Sequence, residues 1–353
     1  MTSTVRALIA FRRLYPSLRE HRRVEAETLR LLKAILPAAY LGAAPPPAGI
    51  LKYARRHFFS SLFLAVYRST GVAPERRLFY GGLNHAIRGI VTGTDNLLDD
   101  EYKEMLPLAF PERATRFKSV MHILLFDRIL SRLLDEATAA GLVTMEQARQ
   151  IGQEVFAAMV PIGAEEATEE GGVAGGILTP AEILASVHMY KGGNLLRLAF
   201  VAPLLAERGA VRERLVLADR GIFSIGLALQ VIDDLTDFHD DLRDRRHNYL
   251  AATIQHEGTL EERARLAALL GGGSTAAPIE QVFSASASRA MARAIGEALD
   301  GFERLHAAGF WLDRPQALEL IRTLFSLRGV GHLLPLLPPG DRFTETLEIH
   351  HAA

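Results

Sequence analysis

From about residue 50 to residue 335 the chain runs in long apolar segments that read as helices. Alternating Val/Thr/Tyr runs bounded by hairpin turns, the mark of strands, are missing. Residues 221–232 (GIFSIGLALQVI) are apolar nearly all round, which predicts a helix buried on every side. The breaks between segments are rich in proline or glycine: AlaAlaProProProAlaGly at 43–49, GGVAGG at 171–176 and GGGS at 271–274. Residues 1–43 read as an N-terminal helical extension of mixed charge. Pro338, Pro339 and Gly340 fall in a polar C-terminal tail over 336–353. No fixed-period repeat is visible. The expectation is an all-α protein whose main helical domain spans 50–335.

Composition supports that picture and narrows the function. Of 353 residues, 49% are hydrophobic, enough for one large core, and only 7% are aromatic. Ala, Leu and Arg dominate, which favours helix. A net charge of −1 provides no basic field for nucleic acid or an anionic membrane. With no cysteine there are no disulfides and no thiolate metal sites. No apolar run reaches the ~20 residues of a membrane span. The N-terminus is charged throughout and lacks a signal-peptide core. A soluble, cytoplasmic protein is expected.

Two acidic stretches carry the candidate chemistry. One is Gly93-Thr94-Asp95-Asn96-Leu97-Leu98-Asp99-Asp100-Glu101; the other is Gln230-Val231-Ile232-Asp233-Asp234-Leu235-Thr236-Asp237. Helical spacing stacks Asp95 on Asp99 and Asp233 on Asp237, with Gln230 one turn before Asp233 and Asp234. A single such pair is commonly a solvated helix face. Two pairs, each ending an apolar helix, place several carboxylates where repulsion and lost hydration demand a counter-charge. Mg²⁺ suits them, because it takes oxygen ligands and is typically shared between one or two carboxylates and substrate phosphates. Lys191, beside two glycines in HisMetTyrLysGlyGlyAsnLeuLeu, lies between the stretches in sequence. Asp240, Asp241 and Asp244 extend the second stripe and read as solvated.

These motifs resemble the polyprenyl synthetase family, the trans-isoprenyl diphosphate synthases, over roughly residues 50–260. GlyLeuAlaLeuGlnValIleAspAspLeuThrAsp at 226–237 is similar to that family's second aspartate motif, and Asp95, Asn96 and Asp99 fall where it has the first. ValProIleGlyAlaGluGluAlaThrGluGluGlyGly at 160–172, followed by the Lys191 segment, is similar in order to its central region. The resemblance implies a single bundle of long helices around a central cavity and a homodimer. It implies Mg²⁺ held by Asp95, Asp99, Asp233, Asp234 and Asp237. It further implies Lys191 on the leaving diphosphate, Gln230 near the reacting carbons, and Lys52, Arg55, Arg56 and Arg88 on isopentenyl diphosphate. Asp95, Asp233, Lys191 and Gln230 would then be the catalytic set, joining an allylic diphosphate to isopentenyl diphosphate. Asn96 departs from the family motif, and Glu104 and Met105 stand where it has two arginines.

Other functions compete. A class I terpene cyclase or a squalene/phytoene synthase-like enzyme needs the metal clusters without the isopentenyl site. AspLeuArgAspArgArgHisAsnTyrLeu at 241–250 looks somewhat like the latter, whereas the cyclase Asn-Asp-x-x-Ser-x-x-x-Glu signature is absent. A non-catalytic partner subunit is a third reading. A di-iron bundle needs paired Glu-x-x-His motifs, and inside the bundle only Glu303 and His306 have that spacing.

Overall fold

The computed structural model describes residues 3–43, 49–99, 102–173, 175–273, 277–327 and 331–336. Most of the proline-rich break, Asp100 and Glu101, and the tail from 337 lie outside them. Among the described residues the architecture is all-α; the only β feature is an isolated antiparallel bridge between Leu41 and Leu108. The first five helices are α1 (Ser3–Ile35), α2 (Ile50–Arg56), α3 (Phe58–Thr70), α4 (Pro74–Leu98) and α5 (Thr115–Ala139). Next come α6 (Met145–Glu169), the single turn α7 (Pro180–Ile183), α8 (Leu195–Ala206) and α9 (Gly209–Thr236). The rest are α10 (Phe238–Asp244), α11 (Tyr249–Glu257), α12 (Leu260–Leu270), α13 (Ile279–Val282), α14 (Ser284–Ala307) and α15 (Arg314–Leu327).

Local chemistry fixes several boundaries. Thr144 and Gln147 close a reciprocal capping box that starts α6, and Thr179 with Glu182 does the same for α7 behind Pro180. Gly71, at φ 94°, ends α3 in the left-handed conformation that glycine adopts without strain.

The apolar helix expected over 221–232 is the second half of α9, the central helix of the bundle. By length and composition α9 is apolar enough to cross a membrane, although no unbroken apolar run in the sequence suggests it; 67% of its most apolar window is buried inside the protein. Two close backbone approaches hold its neighbours. A Cβ added at Gly221 would lie 2.6 Å from the Gly301 carbonyl oxygen on α14. A Cβ at Gly226 would lie 2.3 Å from the carbonyl oxygen of Gly192. Gly192 belongs to an eleven-residue π-helix, Leu184–Asn194, that continues α7 into α8. Such wide turns are rare and concentrate at functional sites.

One core cluster unites the molecule. Leu14, Leu31 and Leu32 of α1 belong to it together with Ile321 of α15. The segment expected to be an extension is therefore part of the core, because its apolar stripe packs against α3, α4 and α15.

Candidate active site at two acidic helix ends

The two acidic pairs share one local geometry. Asp95 is in the last turn of α4 and Asp99 caps it; Asp233 is in the last turn of α9 and Asp237 caps it. Both caps have nearly the same backbone, φ −93°, ψ 2° and φ −99°, ψ 7°, and each donates its N–H back to the first aspartate's carbonyl. A helix C-terminus is the negative end of the macrodipole, where carboxylates are unfavourable. Each of these two ends carries a pair of them, and each pair calls for cations. Arg246 supplies one within the protein, with its guanidinium 3.4 Å from an Asp99 carboxylate oxygen. This contact also ties the end of α4 to the segment after α10, since the Arg246 N–H donates to the Asp241 carbonyl.

Burial, aided by the charges of Glu166 and Asp99 and opposed by Lys103 and Lys191, raises the Asp95 carboxyl to about 6. Asp241, expected to be solvated, is half-buried; burial and the charges of Asp234 and Asp237 raise it to about 7 although Asn248 donates to it. Lys191 is clasped by Glu166, 3.1 Å away, and by Glu169 at shorter range. Burial opposes its charge, but the two glutamates outweigh burial and hold its pKa above the usual lysine value. Glu166, Glu169, Asp241 and Arg246 were not assigned from sequence. The only signal for the glutamates was the run GluGluAlaThrGluGlu at 165–170.

Two motif residues are used inside the fold. The Asn96 amide is buried and staples the following loop: Nδ2 donates to the Lys103 carbonyl at 3.2 Å, and Oδ1 accepts the Lys103 N–H at 2.9 Å. Asp234, expected among the metal ligands, is only 4% exposed. Its carboxylate meets His188 Nε2 at 2.9 Å and accepts the Tyr249 N–H at 2.6 Å and the Gln230 amide at 3.3 Å. Neighbouring residues on a helix point about 100° apart, so Asp233 and Asp234 do not share a direction. Asp233 is exposed and Asp234 is buried. Gln230 is thereby tied to Asp234.

A cavity of about 1160 Å³ reaches Asp233 at the end of α9. Asn84, Ile87, Arg88 and Val91 of α4 line it, a stripe whose next turn is Asp95. Ile225, Ala228, Leu229, Ile232 and Asp233 of α9 form a second stripe. Lys52, Arg55, Arg56 and Arg88 all line the same cavity, so the four cations picked out in the sequence are brought together. Arg56 donates to the Glu104 carbonyl at 2.8 Å, and Arg88 donates to the Arg56 carbonyl at 3.2 Å. Lys191, Gln230, Asp95 and Asp99 are not in the cavity wall. No three aspartate or glutamate oxygens among the described residues converge within 4.8 Å.

No family model matches the chain, and no curated protein matches it. Solved structures do. The octaprenyl pyrophosphate synthase of Helicobacter pylori superposes with a TM-score of 0.57 at 11% identity, over 87% of this chain and 99% of that one. The geranylgeranyl pyrophosphate synthetase of the archaeon Geoglobus acetivorans gives 0.56 at 15% identity, over 89% and 98%. A polyprenyl synthase of Caulobacter crescentus CB15, complexed with calcium and isoprenyl diphosphate, gives 0.54 at 15% identity, over 90% and 97%. The chain has the all-α fold of these polyprenyl synthases.

Proposed function

We infer that the protein is a divalent-metal-dependent prenyltransferase that joins an allylic diphosphate to isopentenyl diphosphate and releases a longer trans-polyprenyl diphosphate. The observation that carries this reading is one apolar, cation-bearing cavity whose wall holds Asp233 of α9 and the α4 stripe that leads, one turn on, to Asp95. Asp95, Asp99, Asp233 and Asp237 are the carboxylates available to Mg²⁺; Asp234 positions Gln230 and the α11 start instead. Mg²⁺, when bound, would offset the charge of the departing diphosphate. Lys191 adds a protein cation for the same oxygens. Ionisation breaks the allylic C–O bond, the isopentenyl double bond attacks the carbocation, and a proton passes to the released diphosphate. The walls formed by Ile225, Ala228, Leu229 and Ile232 keep water from that cation. We place the enzyme in the cytoplasm. Incubation with ten-, fifteen- and twenty-carbon allylic diphosphates and Mg²⁺, with and without isopentenyl diphosphate, read by mass spectrometry, tests the reaction. Elongated products are expected only with isopentenyl diphosphate.

A second diphosphate must be held by side-chain cations rather than metal. Arg56→Ala is expected to raise the apparent KM for isopentenyl diphosphate several-fold with little change in allylic ionisation. The internal bonds of Arg56 and Arg88 favour one competing reading, in which no isopentenyl diphosphate is used. Equal consumption of allylic diphosphate without isopentenyl diphosphate, unaffected by Arg56→Ala, would establish cyclisation or head-to-head condensation instead.

Product length should respond to the cavity wall. Ile90 and Val91 both pack against the core, and Val91 also lines the cavity one turn before Asp95. Val91→Phe is expected to shorten the product, and an unaltered product distribution would place the limiting wall elsewhere.

We also propose a homodimer through α5 and α6, which expose Phe117, Leu124, Phe156 and Val160 at 52%, 58%, 67% and 54%. These apolar side chains on neighbouring helices suit the same face of a second copy. Light scattering should give twice the chain mass, and Leu124→Glu with Phe156→Glu should give monomers. A monomeric wild type would end this part of the reading.

A further inference from the structure

We propose that His21, Glu25 and His57 form a zinc-binding site, separate from the acidic mouth, that ties α1 to the corner between α2 and α3. Among the described residues this is the one place where ligand atoms of three such side chains lie within 4.8 Å of one another. His21 and Glu25 stand four apart on α1 and so share a face. His57 is the junction residue between α2 and α3. Its Nε2 is 3.4 Å from Glu25 Oε1, and His21 Nδ1 is 3.9 Å from Glu25 Oε2. Donors around four-coordinate zinc, with bonds of about 2.0–2.1 Å, lie roughly 3.3 Å apart. Small rotations of these side chains would close the shell, with water or Tyr53 in the fourth position. Tyr53 Oη lies 2.8 Å from His21 Nδ1 and donates to Glu25 Oε2 at 2.5 Å.

A further buried histidine, His85, adjoins the cluster. His21 and His85 are both more than nine-tenths buried, with rings 5.5 Å apart, yet His21 Nε2 and His85 Nδ1 have no hydrogen-bond partner. Leaving such atoms unpaired is costly, but the His21 nitrogen nearest Glu25 is Nδ1, so they are not the ligand atoms of the site. Zinc needs neutral imidazole. Burial, reinforced by Arg88, lowers His57 and His85 to about 3, and burial with His85, His57 and Arg88 lowers His21. Three guanidiniums face the cluster and oppose a dication: Arg88 lies 3.4 Å from His57 Nδ1, Arg22 stacks over the Tyr53 ring, and Arg56 adds to the field. Glu25 is the one carboxylate in the cluster, and burial raises its carboxyl above the usual range.

The test uses the full chain carrying Asp95→Asn and Asp233→Asn, so that the acidic mouth does not compete, after stripping with a chelator. Equilibrium dialysis should find one Zn²⁺ per chain, and Co²⁺ should give the intense visible bands of four-coordinate nitrogen and oxygen ligation. His57→Asn and Glu25→Gln, checked for folding by circular dichroism, should each weaken Zn²⁺ binding by about 100-fold or more. Failure to bind Zn²⁺, a six-coordinate Co²⁺ spectrum, or affinity unchanged in both variants would overturn the site and leave a hydrogen-bonded histidine cluster. The Co²⁺ spectrum needs neither site variant, so a folding defect in them leaves the proposal open to refutation.

Discussion

Asp95→Asn and Asp233→Asn are each expected to lower turnover by on the order of 10²–10³ or more, the usual penalty for removing a group that stabilises departing charge. The same substitution at Asp95 is expected to make the metal-free protein more stable. The Asp95 carboxyl sits at the negative end of α4, with its pKa raised from 3.8 to about 6. A carboxylate whose folded pKa exceeds its unfolded value destabilises the fold wherever it is ionised. That penalty is complete above about 6 and disappears below the unfolded value near 3.8. Roughly two pH units correspond to about 3 kcal/mol as an upper limit. Asp95→Asn should therefore raise the melting temperature at alkaline pH, and the gain should fade as pH falls through about 6. Loss of activity together with gain of stability is the signature of a residue placed for function against the interest of the fold. Thermal melts at several pH values beside steady-state rates measure both. Full activity in EDTA, or in either variant, would remove the acidic ends from the chemistry.

Much of this site was legible in the sequence because its parts follow helical spacing. Asp95 and Asp99 on α4 and Asp233 and Asp237 on α9 are each four apart, and each pair ends an apolar stripe. The cation group at Lys52, Arg55, Arg56 and Arg88 was also readable, since three of its members share one short helix. Spacing along one helix says nothing about partners from distant elements. Glu169 meets Lys191 from 22 residues away, and Arg246 meets Asp99 from 147 residues away. Asn96 looked like a substituted ligand, yet its amide is consumed by the Lys103 backbone, a loop contact that no periodicity encodes. Asp234 turns away from Asp233 for a more elementary reason: adjacent helix positions diverge by about 100°, and its side of α9 is filled by His188 and Tyr249. The π-helix was invisible because its pattern departs from 3.6 residues per turn over only a short stretch.

Gly226→Ala is expected to destabilise the protein by about 3 kcal/mol and to lower turnover by about 100-fold, although Gly226 touches neither acidic pair. An alanine Cβ there would lie 2.3 Å from the carbonyl oxygen and 2.7 Å from the carbonyl carbon of Gly192. These are backbone atoms, so no rotamer change relieves the overlap and the π-helix must move bodily. The other side of α9 offers no slack, because Gly221 is in similarly close backbone contact with Gly301 of α14. Displacement of the π-helix carries Lys191, the residue before Gly192, away from Glu166 and Glu169. It also disturbs Gln230, whose Cβ is 3.2 Å from the position of a Cβ on Gly192. An error of about 1 Å in a positioning group is enough for the expected loss in rate. Gly163→Ala on α6 is the matched control. Nothing lies within 4 Å of its Cβ position, so alanine there should stabilise by about 0.5–1 kcal/mol through helix propensity alone. Chemical denaturation and steady-state kinetics on both variants separate the effects. If Gly226→Ala melts and turns over like the wild type, α9 and the π-helix are not in backbone contact, and the positioning of Lys191 through Gly192 loses its support.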